Sequence, residues 1–439
     1  MVLELGAEAD TAHATQPQPR TVHVRQGKIM FAAASIALTL AAHGVQQGGY
    51  AGAPSKGCTA GATLPVTPGG APAHLTITVP DKTQQGGTAA RAYWLQLPKD
   101  YDVSKPPLIL FDLHGFYDNA KSQISENRIA EWVRSSGTNA VMVSPEGSHD
   151  GGDSATWHMD GGTQNLAPGP LGDVCEHNRN TFGVYKCYTS CTASAQGCNA
   201  RKGCTATSCM DDVGFLTALL DHLQGTVCTD LNHVHYTGIS TGAMMALSMP
   251  WHVPERVASV VTTAGSRYMG FNTPLPTASK VSYMDIHGFI DNTIPANASN
   301  GFKPSQYVGP HGAAVSNDGF FYTPIPNITR NFAAHNGCDD SGNLPYPTKF
   351  DGVPMDDDEQ SDDEATQGWK FSCNKPHGNC GGADVVTCTG EWDHTWAFCE
   401  YNAYPCSNTD NAELVLDFMM AHPKVGGNWT GALPDPAAR

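Results

Sequence analysis

The sequence predicts an α/β fold, a mostly parallel, doubly wound sheet, and three observations carry that reading. Runs such as Pro107-Leu-Ile-Leu-Phe-Asp-Leu113 and residues 140–143 are apolar almost throughout, as strands buried on both faces must be. Stretches with helical periodicity alternate with them, the order that lets parallel strands connect. At 238–242 a Gly-Ile-Ser-Thr-Gly segment lies between a short β-type run and an apolar run able to open a buried helix. That strand, sharp turn and helix form the arrangement that exposes a nucleophilic serine.

The elements follow in order. Residues 74–79 and 91–97 alternate like half-buried strands around a Gln-Gly-Gly turn, so they open the domain as a hairpin. The strand at 107–113 leads into His114-Gly115, a helical stretch over 124–133 and the strand at 140–143. Apolar residues at 213, 215, 216, 219, 220 and 223 share one helical face. The strand at 233–236 enters the glycine-flanked turn, and a helix leaves it from Ala243. Strands at 257–261, 281–286 and 385–389 follow, then a closing helix over 410–420 with Asp410 and Glu413 placed like a capping box. Two stretches interrupt the rhythm: 158–210, rich in Cys, Gly and Asn, and 339–384, which holds the acidic run 356–364. Loops of that length in a compact domain are functional, disordered or disulfide-stapled. The expected organisation is a leader over 1–50, one catalytic domain over 51–425 with those two insertions, and a tail over 426–439.

A chain of 439 residues with a formal charge of -17 and only 25 Lys and Arg has no basic stripe. This argues against a nucleic-acid partner and for an uncharged or cationic substrate. Arg20, Arg25 and Lys28 precede the apolar run 29–42 and small residues follow it, as in a secretory signal with a long n-region. The run is too short to cross a bilayer comfortably, so no stable membrane span is expected; an uncleaved signal anchor is the rival reading. All 14 cysteines lie beyond it, from Cys58 to Cys406, an even number that fits disulfides in an oxidising compartment. The cluster Cys175, Cys187, Cys191, Cys198, Cys204 and Cys209 lacks the Cys-x-x-Cys spacing of a zinc site. The acidic run lacks the glycine and ligand spacing of a calcium loop, so neither metal nor cofactor is expected. Sequons at Asn297, Asn327 and Asn428 agree with a secreted glycoprotein.

Acyl transfer from a serine needs a base for the hydroxyl, a carboxylate to orient that base and two N–H donors for the oxyanion. Ser240 is the candidate nucleophile. Asp291 is the candidate acid because it lies just past a buried strand, where loops face the crevice, whereas Asp285 belongs to the strand itself; a plain surface turn is the alternative for Asp291. His394 follows the last strand and precedes the closing helix, while His377 and His422 fall at positions read as solvent-exposed. The oxyanion donors would come from the His114-Gly115-Phe116 loop and from the N–H of Thr241.

Ordered blocks extend the pattern well beyond these residues. They are Gly57-Cys58, the stretch 91–102, Leu113-His-Gly115, Asp211-Asp-Val-Gly-Phe215, Gly238-Ile-Ser-Thr-Gly-Ala-Met-Met245, His287-Gly-x-x-Asp291-x-x-Ile-Pro295, Asn336-Gly-Cys338 and His394-Thr-Trp396. In this order they resemble the polyhydroxybutyrate depolymerase-like and feruloyl esterase group of the α/β-hydrolases, over roughly residues 57–420 apart from the two insertions. The resemblance implies an α/β-hydrolase fold and a secreted esterase acting on polyesters or on ester-linked groups of plant polysaccharides. It implies a triad of Ser240, Asp291 and His394 with oxyanion donors Phe116 and Thr241. This chain departs from the group in having Thr241 where relatives commonly have Asn, Ala397 where they have Pro, and the Cys-rich insertion.

The sequence therefore points to a serine carboxylesterase. A polyester depolymerase is the second reading, although no room for a separate substrate-binding module remains after residue 423. A catalytically silent hydrolase fold used for binding is a third. The insertion at 158–210 is expected to overhang Ser240 as a stapled rim, a surface excursion pointing away from the site being the alternative, with Trp157 at its base and Trp396 and Tyr117 as further candidate pocket walls.

Overall fold

The computed structural model describes residues 52–81, 87–150, 154–160, 169–176, 188–192, 206–276, 279–297, 308–353, 370–399 and 406–426. The expected leader, the acidic run, the tail beyond Gly426, Asn428 and much of the Cys-rich insertion lie outside them.

The chain opens as the hairpin its alternation predicts. β1 (Ala73–Pro80) and β2 (Thr88–Gln96) pair antiparallel, and β2 pairs antiparallel with β4 (Ala140–Pro145). β3 (Leu108–Leu113), β5 (Val234–Ile239), β6 (Ser259–Thr263), β7 (Ser282–Gly288) and β12 (Val385–Gly390) continue from β4 as parallel neighbours. Beyond β12 the edge turns antiparallel through β11 (Ser372–Lys375) and β10 (Leu344–Pro345). Among the described residues this makes a ten-stranded sheet in the order β1-β2-β4-β3-β5-β6-β7-β12-β11-β10. β10 and β11 arise within the stretch 339–384, so part of what reads in sequence as a loop insertion extends the sheet. A separate pair, β8 (Ala314–Val315) with β9 (Phe321–Tyr322), stands outside it.

Helices cover both faces. Ile109, Phe111 and Leu113 of β3 point into one core with α4 (Asp212–Thr226), α5 (Thr241–His252) and α6 (Ile325–Asn336). Their neighbours Leu108 and Leu110 point into another with α2 (Ile129–Ser136) and α7 (Asp410–Ala421). Alternation along strands buried on both sides is what a doubly wound sheet requires. It explains why these strands read as unbroken apolar runs.

Two local expectations are corrected. The single helix expected over 124–133 is broken into α1 (Ala120–Glu126) and α2, because Asn127 turns inward and donates to both carboxylate oxygens of buried Asp112, at 3.0 and 2.8 Å. Arg128 then takes the left-handed region (φ 56°) to restart the helix. At the closing helix the N-cap is Thr409; Asp410 lies in the first turn rather than capping, and Glu413 pairs with Lys349.

Five bridges join described cysteines: Cys58–Cys228, Cys191–Cys209, Cys338–Cys380, Cys373–Cys388 and Cys399–Cys406. Cys373 and Cys388 face each other across β11 and β12, so that bridge staples the sheet edge in register. No described cysteine is free. No described helix is long and apolar enough to cross a membrane.

Candidate active site

Ser240 stands between the last residue of β5 and the first of α5, with φ 57° and ψ −127°. A non-glycine residue there costs on the order of 1–3 kcal/mol and persists only where its surroundings enforce it. The surroundings do so: Ser240 N–H donates to the Thr263 carbonyl of β6 at 3.1 Å, and its own carbonyl accepts from Met244 N–H at 3.0 Å. α5 can begin this close to β3 only because residue 242 is glycine, where a Cβ would lie 2.1 Å from the Leu113 carbonyl oxygen and 2.4 Å from that of His114. The result is a half-buried hydroxyl held above the carboxyl ends of the parallel strands.

The other members of the site come from the loops that leave β7 and β12. Asp291 is fully buried, and its Oδ1 accepts from the N–H groups of Thr293 at 2.8 Å and Ile294 at 2.9 Å. Its Oδ2 accepts from His394 Nδ1 at 2.8 Å. These two loops touch directly: a Cβ on Gly288 would overlap the Trp392 carbonyl oxygen at 1.9 Å. Phe289 N–H also donates to the Gly390 carbonyl at 3.0 Å. Burial alone would raise the Asp291 pKa, but the adjacent His394 and His287 outweigh it and hold the carboxyl well below the usual carboxylate range. An ionised carboxylate on Nδ1 fixes the tautomer that leaves Nε2 of His394 to act as a base. No hydrogen bond joins Ser240 Oγ to the His394 imidazole; catalytic hydrogen bonds of this kind tighten in the complex with substrate.

The loop after β3 lies against the serine, with the Cβ position of Gly115 3.4 Å from Ser240 Cβ. His114, fully buried, sets that loop. Its Nε2 accepts from Gly147 N–H at 2.9 Å, so its proton sits on Nδ1 and is donated to the Gly115 carbonyl at 2.8 Å. Burial, the largest influence, lowers its pKa and keeps it neutral. Phe116 follows, partly buried against Tyr188 and the Cys191–Cys209 bridge. Thr241 supplies the first N–H of α5, in the class of groups that a helix leaves without an internal partner. Tyr117 is 72% exposed, takes φ 68°, and meets Phe116 edge-on at 4.4 Å.

Two expected pocket walls lie elsewhere. Trp157 is fully buried and donates its indole N–H to the His114 carbonyl at 2.8 Å, so it backs the loop and does not face the crevice. Trp396 is fully buried with Ile239, Ala264, Cys399 and Cys406, beneath the serine turn. Both are large apolar bodies that the core absorbed. Of the sequons, Asn297 and Asn327 are half-buried. Of the insertion, helix α3 (Thr189–Thr192) and its neighbours reach the site through Phe116.

His287 stands outside the expected triad, yet it touches Asp291. It is 1% exposed; its Nδ1 lies 3.5 Å from Asp285 Oδ1 and its Nε2 3.4 Å from Asp291 Oδ2 and 2.7 Å from the Ile294 carbonyl. The signal in the sequence was the spacing itself, since Asp285 and His287 are two apart on one strand and share a face. Among the described residues no three His, Cys, Asp or Glu side chains converge as metal ligands.

No established family profile matches the chain. It is 22% identical over 241 residues to the probable feruloyl esterase C of Aspergillus niger, covering 51% of this chain and 67% of that one. It is 23% identical over 248 residues to the feruloyl esterase C of Emericella nidulans, covering 52% and 70%. Among solved structures, an acetyl xylan esterase from Aspergillus awamori superposes with a TM-score of 0.42 at 13% identity, over 80% of this chain and 99% of that one.

Proposed function

We infer that this chain, an esterase of the α/β-hydrolase superfamily, cleaves carboxylic esters by acyl transfer to Ser240. The observation that carries this is the 2.8 Å bond from His394 Nδ1 to buried Asp291, on loops leaving the same strand ends as the strained serine. Ser240 Oγ attacks the ester carbonyl while its proton passes to His394 Nε2; Asp291 stabilises the imidazolium. The N–H groups of Phe116 and Thr241 receive the oxyanion, a contribution worth on the order of 100- to 1,000-fold per donor. The imidazolium gives its proton to the leaving alcohol. Water, deprotonated by His394, then attacks the acyl-enzyme and releases the acid.

For substrate we favour aromatic acyl groups esterified to polysaccharide. The names of the sequence relatives support this, as does the exposed Tyr117 ring beside the oxyanion loop. The polar-then-apolar N-terminal sequence and the disulfides support export from the cell, with glycans at Asn297, Asn327 and Asn428 and one catalytic domain over 51–425.

The test is hydrolysis of p-nitrophenyl acetate, methyl ferulate and oligo-hydroxybutyrate by the wild type and by Ser240→Ala. Turnover of the ferulate ester that Ser240→Ala abolishes supports the reading. Preference for oligo-hydroxybutyrate would reassign the substrate to polyesters, and a Ser240→Ala variant retaining more than a few per cent of activity would remove the serine mechanism.

A further inference from the structure

We propose that His287 is a positioning residue of the hydrolytic site, an imidazolium clamped between Asp285 and Asp291 that keeps the Asp291 carboxylate charged and aimed at His394 while both carboxylates are shut away from water. The proposal rests on the esterase reading of that site.

The argument begins with acceptors. Nε2 of His287 faces the Ile294 carbonyl at 2.7 Å and Asp291 Oδ2 at 3.4 Å, and Nδ1 faces Asp285 Oδ1 at 3.5 Å. A neutral imidazole has one lone pair, which would here point at an anion or a carbonyl, so both nitrogens must carry hydrogen unless a carboxyl does. Asp285 is not that carboxyl, because its Oδ1 already receives the Thr262 hydroxyl at 3.0 Å and the Tyr283 hydroxyl at 3.4 Å. Asp291 is not either, because its oxygens accept from two backbone N–H groups and from His394.

Charge counting gives the same answer. The titratable groups facing His287 are Asp285 and Tyr283 on β7 and Asp291 on the following loop; His394 and Asp393 lie just beyond Asp291. Among the described residues no Lys or Arg forms an ion pair with either acid. Without His287, two carboxylates exposed by 1% or less would share one enclosure with only the catalytic imidazole to balance them. Like charges in such a place drive one group to take up a proton. Burial opposes the charge on His287 itself, yet Asp285 and Asp291 outweigh it and push the imidazole up to about 10.

The experiment compares wild type, His287→Gln and Asp285→Asn on p-nitrophenyl acetate across the acid limb of kcat/KM, with nitrogen-15 spectra of His287 in the wild type at about pH 8. Removing the cation leaves more uncompensated negative charge around His394. The limb in His287→Gln therefore moves up by about one pH unit, with kcat down roughly 10- to 100-fold and KM little changed. Removing the outer carboxylate moves the limb in Asp285→Asn the opposite way. Limbs that stay in place, or move together, would overturn the proposal, as would a neutral His287 at about pH 8. If His287→Gln does not fold, Asp285→Asn and the spectra still decide. An inactive wild type would count against the esterase reading, and the positioning role would go with it; an active wild type with unmoved limbs sinks the clamp alone.

Discussion

Trp396 and Ile239 share one buried cluster with Ala264, Cys399 and Cys406, so the loop that carries His394 is seated in the same core as the strand that delivers Ser240. The cluster couples two candidate catalytic groups that half the strands of the sheet separate in sequence. It also gives Trp396 a different task from the pocket wall its position in the sequence suggested.

Trp396→Ala should lower stability by about 3–5 kcal/mol, the usual cost of deleting a buried tryptophan. It should also lower kcat on a small ester, because the loop beneath His394 loses its seat. Trp396→Phe should cost much less, since the indole N–H has no partner to lose. Urea midpoints and kcat for both variants check this, and equal losses in the two would contradict it.

Ser240→Gly and Ser240→Ala should both be inactive yet differ in stability. Glycine relieves the positive φ at that position, and alanine does not. The glycine variant should be more stable than the alanine variant by about 1 kcal/mol, the strain relieved less the entropy glycine adds to the unfolded chain. A more stable alanine variant would show that the turn is not strained.

The stability that His287 supplies should be lost in alkali. The His287 pKa is raised to about 10 in the folded chain, so its contribution is complete below its unfolded value near 6.5 and is lost progressively as pH rises from there through about 10. Asp291, depressed, contributes in the opposite sense: its share is present above an unfolded value near 4 and is lost as pH falls through its folded value. Lys424, held down to about 8 by burial, contributes in the opposite sense above that pH, so the His287 share is read from the stability difference between wild type and His287→Gln, which should shrink by up to about 1.4 kcal/mol per pH unit between about pH 6.5 and 10. Urea titrations of both proteins at several pH values measure the difference; one that stays constant from about pH 6.5 to 10 would refute the assignment.

Removing Cys58–Cys228, which spans 170 residues, should destabilise the chain more than removing Cys399–Cys406, which spans 7. The chain-entropy account puts the difference at roughly 2–3 kcal/mol. The smaller bridge shares the cluster that seats Trp396, so its loss should act more on kcat than on the melting temperature. Paired Cys→Ser variants, assayed for both, separate the two effects.

What the sequence disclosed and what it withheld divide along physical lines. β3, β5, β6 and β7 are buried on both faces, so their apolar runs needed no knowledge of partners. The Gly-flanked Ser240 is legible for the same local reason. The break at Asn127 was hidden because it answers to Asp112, a charge buried on another element. β10 and β11 are two and four residues long and owe their place to edge pairing and a cross-strand bridge, neither of which leaves a periodic mark. Trp157 and Trp396 carry composition suited equally to a pocket wall or a core, and only packing separates the two. His287 was visible as a motif residue, but the enclosure that makes its charge matter is assembled from β6, β7 and two loops.

Phe116 leans on Tyr188 and the Cys191–Cys209 bridge. The aim of the N–H proposed as an oxyanion donor would thus depend on a covalent link that translation does not make. Polypeptide produced in a reducing cytosol would have every strand it needs and still lack the crossbar behind this loop. Under the proposed export, thiol oxidation would act as a maturation checkpoint: competence for acyl transfer would arrive outside the cell that makes the chain. For production in a foreign host, the redox state of the compartment should govern specific activity more than yield.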